Sequence, residues 1–407
     1  MLIGYDAYNE IVSEDSGTVH GKGTYEGKQK TFSNNVYVNG NLDTTVKGYM
    51  WVEDVKQLQA IDTNLGGNYA LRNSIDGTQA NNFKSIGSNT AFSGKFDGID
   101  YNIFNLNISG TDNVGLFGKT NGATINNVTL VGGSITGGSI TGGSITGGNN
   151  VGAVVGNANN TILNNVVNSA AVSGNNNVGG IVGSATNSAI KDAINTGTIN
   201  GSGDNVGGLI GNLQDSKLDT TKEVEKGLIG NSYNLGDVSG KGHNVGGLVG
   251  SASNSTIGDG TNLVYNRLDV TGAYNVGGIV GNMVGSTVQN AENSGTVLAS
   301  GYTNGKYIFH TDNAAFDGNG DKLGEKDVYI ANAGGIAGTS SDDSTITDVL
   351  NTGNVSSSKQ DGNDFYDAGN VGGIVGSAVD TNISNATNKE NEVRGAHNVG
   401  GVAGYFG

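Results

Sequence analysis

Pairs of aliphatic residues recur along the chain between short runs of glycine, asparagine and serine, and this pattern predicts short β-strands. In the unit 177–204, NVGGIVGSATNSAIKDAINTGTINGSGD, strands are predicted around Ile181–Val182, Ala189–Ile190 and Thr198–Ile199. The first seven residues of this unit recur with small changes, beginning at Asn113, Asn150, Asn177, Asn205, Asn244, Asn275, Asn332, Asn370 and Asn398. The shortest spacings (150 to 177, 177 to 205 and 370 to 398) are 27 or 28 residues, so the chain is a repeat protein with a period of about 28.

Three short strands and three corners in each repeat are typical of one coil of a parallel β-helix, whose strands pair with the coils above and below. The fold class is therefore predicted to be all-β. The paired glycines suit places where a side chain would collide with the next coil. The repeated asparagine suits a left-handed corner conformation, and stacked asparagines can bond to one another along the rod.

One short helix is predicted near the N-terminus, where Val52, Val55 and Leu58 share one face. An amphipathic helix at this position can cover the open end of the β-helix, and Trp51 is then part of the cap. A sugar-stacking role for Trp51 is the alternative.

The chain divides into an N-terminal β segment (1–50), a lead-in with the helix and the first coils (51–112), and the repeats (113–407). The first segment carries strand patterns at 17–20, 24–25 and 35–38, with Asn39–Gly40 as a hairpin signal. The pentads in GGSITGGSITGGSITGG (132–148) are interpreted as an extra loop or a partial strand, with a ligand-reading array as the alternative. Insertions are predicted at about 219–229, 302–331 and 358–367. The last two enlarge the same corner in adjacent coils and are expected to project side by side.

Composition narrows the functional classes. The chain of 407 residues has 72 Gly, no Pro and no Cys, which excludes collagen and a disulfide framework. Its net charge of −16 argues against nucleic acid or an anionic membrane as partner. No signal peptide and no membrane-spanning run is recognised. Because the chain ends within a repeat, we expect a piece of a longer protein, and self-association through the final coil remains open.

The insertions before Asn332 and Asn370 concentrate the aromatic residues of the second half of the chain. We predict that these side chains form a binding surface: Tyr302, Tyr307, Phe309, Phe316, Tyr329, Phe365 and Tyr366.

A calcium loop is the weak metal candidate. Asp317, Asn319 and Asp321 have the alternating oxygen spacing of such a loop, but Lys322 and Val328 stand where it needs Gly and Glu. A glycine-rich turn is therefore favoured, with calcium as the alternative, and no other metal or cofactor is predicted.

No catalytic residues are predicted. Carbohydrate-active β-helices need paired carboxylates on one face, and the predicted strands carry Ser, Thr, Asn, Ala and Gly instead. The four histidines are far apart in sequence without a zinc-protease motif; His243 and His397 precede the repeated Asn-Val and are expected to be exposed corner residues. The sequence therefore predicts that the protein is not an enzyme.

The phrase Asn-Val-Gly-Gly-Ile/Leu-Val-Gly resembles the GLUG repeat of large bacterial surface and secreted proteins. The block from Asn68 to Gly118, with Phe92-Ser93-Gly94-Lys95-Phe96-Asp97-Gly98 within it, is similar to the lead-in of filamentous-haemagglutinin-like exoproteins. Related blocks occur in IgA-cleaving metallopeptidases, whose metal motif is absent here. The resemblance covers about residues 50–407 and implies a right-handed parallel β-helix, exported by two-partner secretion or an analogous route.

The resulting hypothesis is a secreted or surface-anchored bacterial adhesin, a rigid rod whose loops bind a host-cell glycan or surface protein. The alternatives are a structural stalk for a distal effector domain and, less favoured, a β-helical polysaccharide lyase or hydrolase.

Overall fold

The computed structural model describes residues 49–407 except for 81, 100, 139–147, 220–231, 261, 301–330, 358–368 and 396–397. Within 2–48, 139–146 and 360–365 it describes only the backbone of the strands given below. The described protein is nearly all-β, with parallel strands in stacked sheets and one short α-helix, as predicted. It contains no helix long and apolar enough to cross a membrane.

Each regular coil contributes one strand to each of four sheets, here called sheets I to IV in chain order. In the coil that starts at Asn177 the four strands are Val178–Gly179, Val182–Thr186, Ala189–Asn195 and Ile199–Gly201. The three predicted strands are present, and the structure adds the two-residue strand of sheet I. It has only two residues, too few to show an alternating pattern in the sequence, and it pairs with the neighbouring coils.

The strands stack in parallel, in register from coil to coil, about 4.8 Å apart. Sheet I comprises Val151–Gly152, Val178–Gly179, Val206–Gly207, His243–Gly246, Tyr274–Gly277, Ala333–Gly334, Val371–Gly372 and Val399–Gly400. Sheet II comprises Phe117–Asn121, Val155–Asn159, Val182–Thr186, Ile210–Gln214, Val249–Ser253, Val280–Val284, Ala337–Ser341, Val375–Ala378 and Ala403–Phe406.

Sheet III is the largest and reaches furthest toward the N-terminus. It comprises Leu2–Tyr5, Lys47–Val52, Asn68–Leu71, Ile75–Asp76, Lys95–Asp97, Asn102–Phe104, Thr124–Val131, Ile162–Asn168, Ala189–Asn195, Lys217–Asp219, Tyr233–Asn234, Thr256–Ile257, Val264–Asn266, Thr287–Asn293, Ser344–Asn351 and Thr381–Asn388. Sheet IV comprises Asn107–Gly110, Ser134–Gly137, Ala171–Gly174, Ile199–Gly201, Val238–Gly240, Val270–Gly272, Val297–Ala299, Val355–Ser357 and Val393–Arg394.

The core is a narrow column of aliphatic side chains inside the coils. In the coil at Asn177 it is filled by Val178, Ile181, Val182, Ala185, Ile190, Ala193 and Ile199, all fully buried. Burying a Val, Leu or Ile side chain contributes about 1.5–3 kcal/mol. Glycine is required where coils approach closely: a Cβ on Gly180 would lie 2.2 Å from the carbonyl oxygen of Gly208 in the next coil.

The α-helix spans Val55–Ala60, with Asp54 as its N-cap, and is followed by the 3₁₀ turns Ile61–Thr63 and Gly77–Gln79. Val55 and Leu58 are buried in the core as predicted. The prediction that Val52 shares their helical face is wrong, because Val52 ends the strand Lys47–Val52. Trp51 lies in that strand with the guanidinium of Arg72 5.9 Å from its ring centre.

Antiparallel pairs lie outside the four sheets. Glu10–Glu14, Thr18–Tyr25 and Lys28–Asn35 form a three-stranded sheet, which includes the predicted strand residues 18–20 and 24–25; of the predicted strand 35–38 and hairpin Asn39–Gly40, all but Asn35 lie outside the described residues. Two pentads of the low-complexity stretch form a hairpin, Ser139–Thr141 with Ser144–Thr146, beside a regular sheet IV strand. They are therefore an extra loop, as interpreted. Gln360–Asp361 pairs with Asp364–Phe365.

Candidate functional site

The corner between sheets IV and I, here called the loop corner, is lined by the repeated asparagine. Each Nδ2 donates a hydrogen bond of 2.7–3.0 Å to Oδ1 of the asparagine one coil earlier, from Asn398 back to Asn113. Seven of the nine have positive φ, and the exceptions are Asn332 and Asn370, which directly follow the two large insertions. The predicted ladder and left-handed corners are confirmed, and the insertions change the backbone of the corner they enter.

The two insertions start and end at paired strands. Residues 301–330 follow Val297–Ala299 and 358–368 follow Val355–Ser357, and these strands pair with each other in sheet IV. Both insertions lead into the strands Ala333–Gly334 and Val371–Gly372, which pair in sheet I. Their ends therefore lie in adjacent coils at one corner, as predicted.

The predicted binding residues themselves lie outside the described part of the chain. This holds for Tyr302, Tyr307, Phe309, Phe316, Tyr329 and Tyr366, and for the side chain of Phe365, of which only the backbone strand is described. The calcium candidates Asp317, Asn319 and Asp321 also lie outside it. Binding by all of these residues stays a prediction.

The described side of the loop corner becomes aromatic as it approaches the insertions. The residue before the ladder asparagine is Asp or Asn in the earlier repeats, and its oxygen accepts bonds from the next coil, as Asp204 does from His243 N at 2.7 Å. In the two coils before the first insertion it is His243 and Tyr274, whose rings stack with centroids 4.7 Å apart. Tyr274 is buried and His243 half-buried, so the prediction of an exposed corner residue is wrong for His243; His397 lies outside the described residues.

A second asparagine ladder, which sequence reasoning missed, runs inside the coils at the end of sheet III. Its members are Asn168, Asn195, Asn234, Asn266, Asn293, Asn351 and Asn388. Here each Nδ2 donates to the following coil, opposite to the direction of the corner ladder, and also to a backbone carbonyl two residues on, as from Asn234 to Gly236 at 2.6 Å. The recurring Asn-x-Gly was the available signal, although it is equally a turn signal.

An aromatic cluster on the outer face of sheet III was also missed. Tyr233 and Tyr265 pair in register and their rings stack at 4.7 Å with 5° between planes. The guanidinium carbon of Arg267 lies 4.6 Å from the ring centre of Tyr265. Burial raises the pKa of the Tyr265 phenol, the neighbouring Tyr233 and Glu292 add to the rise, and Arg267 opposes it. The signal in the sequence was the repeated Tyr-Asn at 233–234 and 265–266.

The third predicted insertion lies beside this cluster. In six other coils the middle of the sheet III strand bends at one residue with positive φ, namely Asn127, Asn165, Asp192, Asn290, Asp348 or Asn385. In the two tyrosine coils the strand is interrupted at this bend, by 220–231 before Tyr233 and by 258–263 before Tyr265. The insertion therefore belongs to a different corner from the other two, as predicted.

The described residues contain no group of three His, Cys, Asp or Glu side chains placed to hold a metal ion. A small pocket near the helix is lined by Met50, Trp51, Val52, Gln57, Ala60, Ile61, Thr63 and Tyr69. Its lining contains no carboxylate, so it supplies no carboxylate pair for glycoside chemistry.

Comparison with known proteins gives structural likeness only. No protein-family model matches the chain, and no curated protein sequence matches it. The chain is similar to the crystal structure of an immunoglobulin A1 protease candidate from Bacteroides ovatus, at 14% identity and a TM-score of 0.40, over 72% of this chain and 84% of that one. It is also similar to a structure named IgA1 Protease, at 16% identity and a TM-score of 0.33, over 80% of this chain and 26% of that one.

These names correct one prediction. The sequence predicted that the protein is not an enzyme, whereas both similar structures bear the names of proteases. The prediction that the protein is not an enzyme, which rested on a regular solenoid without a recognised catalytic motif, is therefore wrong. The likeness is too distant to transfer an activity, a substrate or a residue to this chain.

Proposed function

We propose that this chain is the rod of a secreted or surface-anchored bacterial adhesin, related to the GLUG-repeat and filamentous-haemagglutinin-like exoproteins, that attaches to a host-cell glycan or surface protein through the loop corner. The observation that carries the proposal is the placement of the insertions 301–330 and 358–368. The strands before them pair with each other, as do the strands after them. The ends of the two insertions, both of which carry aromatic residues, thus lie in adjacent coils, and this favours a single binding surface.

The stacked rings of His243 and Tyr274 support this assignment, because they extend the aromatic character of the same corner over two preceding coils. Binding hot spots are enriched in large aromatic side chains that are already held in place. Here the strands His243–Gly246 and Tyr274–Gly277 pair in register, so both rings are fixed before a partner arrives.

A structural stalk is the second candidate, and the two asparagine ladders favour it. The corner ladder connects every coil from the one at Asn113 to the one at Asn398, and the inner ladder runs from Asn168 to Asn388, which makes a stiff rod suited to holding a distal domain away from the cell.

Loop deletion separates the two functions. One variant replaces each insertion, 301–330 and 358–368, with the short corner found at residues 202–204; the control removes 138–147, a hairpin at the same corner without aromatic residues. For an adhesin, host-cell and glycan-array binding is lost in the first variant and kept in the control. Equal binding by both variants and the unmodified chain would refute attachment through the loop corner. Cleavage of immunoglobulin A1 by the unmodified chain would assign catalysis instead of attachment alone.

A further inference from the structure

The outer face of sheet III carries a row of side chains that is unusual for a surface. Asn234 and Asn266 point into the coil as members of the inner ladder, so Tyr233 and Tyr265 beside them point outward. Between Thr129 and Thr387, the register of this outward row runs through Val167, Ile194, Tyr233, Tyr265, Glu292 and Leu350 in successive coils. The row therefore combines aliphatic, aromatic and charged side chains where the neighbouring faces carry small polar ones.

The polar groups of Tyr233, Tyr265 and Glu292, and the neighbouring Arg267, form no hydrogen bond or ion pair with another described residue. Arg267 is exposed and has no carboxylate within ion-pair distance, in contrast to Arg72, which lies 3.0 Å from Glu53. Neither phenol hydroxyl forms a hydrogen bond to a described residue. A guanidinium has five N–H donors, each phenol can donate and accept, and the Glu292 carboxylate accepts, so the site offers a dense set of open hydrogen-bonding groups.

The arrangement of the rings limits what can bind. The two phenol rings cover each other, and Arg267 lies over the ring of Tyr265, so little ring face is left for a flat aromatic ligand. The edges, the hydroxyls and the two charged groups remain. The charges of Arg267 and Glu292 cancel, so the site has no net charge with which to select an ion.

The sheet III strand is also lengthened at its bend in both coils that carry these tyrosines. Both coils that carry a tyrosine have extra residues at the bend just before it, whereas six other coils use one residue there. In the second of these loops, Asp259 Oδ1 accepts a 2.7 Å bond from the backbone N–H of Asn262, which holds the loop in a turn. Enlarged loops and an aromatic pair in the same two coils are the arrangement of a binding site.

We propose that Tyr233, Tyr265, Arg267 and Glu292 form a binding site for a neutral sugar unit of a glycan. Sugar hydroxyls accept from the guanidinium and donate to the carboxylate, and successive units of an extended chain can follow the row from coil to coil. The site lies on a sheet face and does not include the loop corner, so sugar binding here can be tested separately from the attachment proposed at the loop corner.

The test is an array of neutral oligosaccharides (β-glucan, mannan and galactan fragments), followed by titration of the fragments that bind. The variants are Arg267→Gln, Glu292→Gln and the double change Tyr233→Phe with Tyr265→Phe, which keeps both rings. The matched controls are Lys389→Gln, at the position equivalent to Arg267 three coils later, and Tyr405→Phe, an exposed tyrosine. Circular dichroism and melting temperature confirm that each variant is folded.

A fragment that binds the site is expected to lose affinity on the order of tenfold or more with Arg267→Gln, because hydrogen bonds to a charged group are the strong ones. The loop-corner deletion should leave this binding unchanged. The proposal is overturned if no neutral fragment binds, if the site variants bind as the controls do, or if binding requires a carboxylate on the glycan. Glycan binding that is lost only with the loop-corner deletion would also overturn it, while leaving the proposed attachment function intact.

Discussion

Replacing Asn234 of the inner asparagine ladder by alanine should destabilise the rod more than a substitution in the corner ladder. The Asn234 side chain donates to Gly236 O at 2.6 Å and to Asn266 Oδ1 at 2.9 Å. It accepts from Gly236 N at 3.2 Å and from Asn195 Nδ2 at 2.8 Å. All three asparagines are fully buried, so alanine removes the partner of Gly236 N, Gly236 O, Asn266 Oδ1 and one of the two N–H groups of Asn195 Nδ2, away from bulk water; the other N–H of Asn195 keeps its bond to Gly197 O.

The magnitude follows from these four groups. A buried group left unsatisfied costs about 1–3 kcal/mol, and the losses within one network are not additive. Some backbone relaxation at the turn is expected, so we predict a loss of about 3–5 kcal/mol in the free energy of unfolding. The control is Asn205→Gly, a half-buried member of the corner ladder with φ of 61°. Glycine relieves the left-handed strain there, which offsets the lost ladder bonds, and the expected change is about 1 kcal/mol or less.

The assay is urea unfolding followed by far-ultraviolet circular dichroism at 25 °C, with the midpoint and slope fitted for each variant. A slope shared by the unmodified chain and both variants is needed before free energies are compared. If Asn234→Ala loses no more stability than Asn205→Gly, the inner ladder is not the stronger linkage between coils and the reasoning from burial fails.

Three further predictions use the same protein. Gly208→Ala should cost more than about 3 kcal/mol in unfolding free energy, because its Cβ would lie 2.0 Å from a carbonyl oxygen of the next coil. The control Gly122→Ala, at a position with φ of 73° and nothing within 4 Å of the added Cβ, should cost only about 1–2 kcal/mol. Equal losses for the two variants in urea titrations would contradict the predicted clash at Gly208. Deleting 138–147 should leave the melting temperature unchanged, because the hairpin lies outside the four sheets; a large drop would show that it supports the coil. The raised pKa of Tyr265 should be measurable in alkaline difference spectra against Tyr265→Phe, and it should rise further in Arg267→Gln; a pKa that falls in Arg267→Gln would contradict the assigned geometry. The stabilising effect of the raised pKa is complete below about pH 10 and is lost as pH rises through the raised pKa.

The sequence predicted the parts of this fold that repeat visibly and missed those that depend on contacts between coils. The phrase beginning at Asn177 predicted the coil, its left-handed corner and its outer ladder, because each leaves a mark in every repeat. The strand Val178–Gly179 was missed because two residues have no alternation of their own. The helix was placed three residues too early because Val52 keeps the spacing of the helical face while belonging to a strand.

In the candidate sites, too, the sequence did not predict the features that depend on contacts between coils. The insertions were predicted, since added residues disturb the spacing of the repeats. Tyr233 and Tyr265 are 32 residues apart in sequence, and only the stacking of coils brings their rings to 4.7 Å. Their outward direction depends on the inner asparagine that follows each of them, which a single repeat cannot distinguish from a turn residue.

Changes of residue type at equivalent positions of successive coils offer a physical criterion for locating functional sites on the rod. A position in either ladder bonds to the coils before and after it, so a change there costs stability in three coils at once. A position on an outer face has no such constraint and is free to take on a binding role. Two rows gain a stacked aromatic pair, one changing from amide or carboxylate to His243 and Tyr274 and the other from aliphatic to Tyr233 and Tyr265. At both places the turn next to the changed row is lengthened in the same or the following coils, while both ladders continue without a break. An aromatic stack and a lengthened turn occur together at these two places, so they are where binding should be sought first.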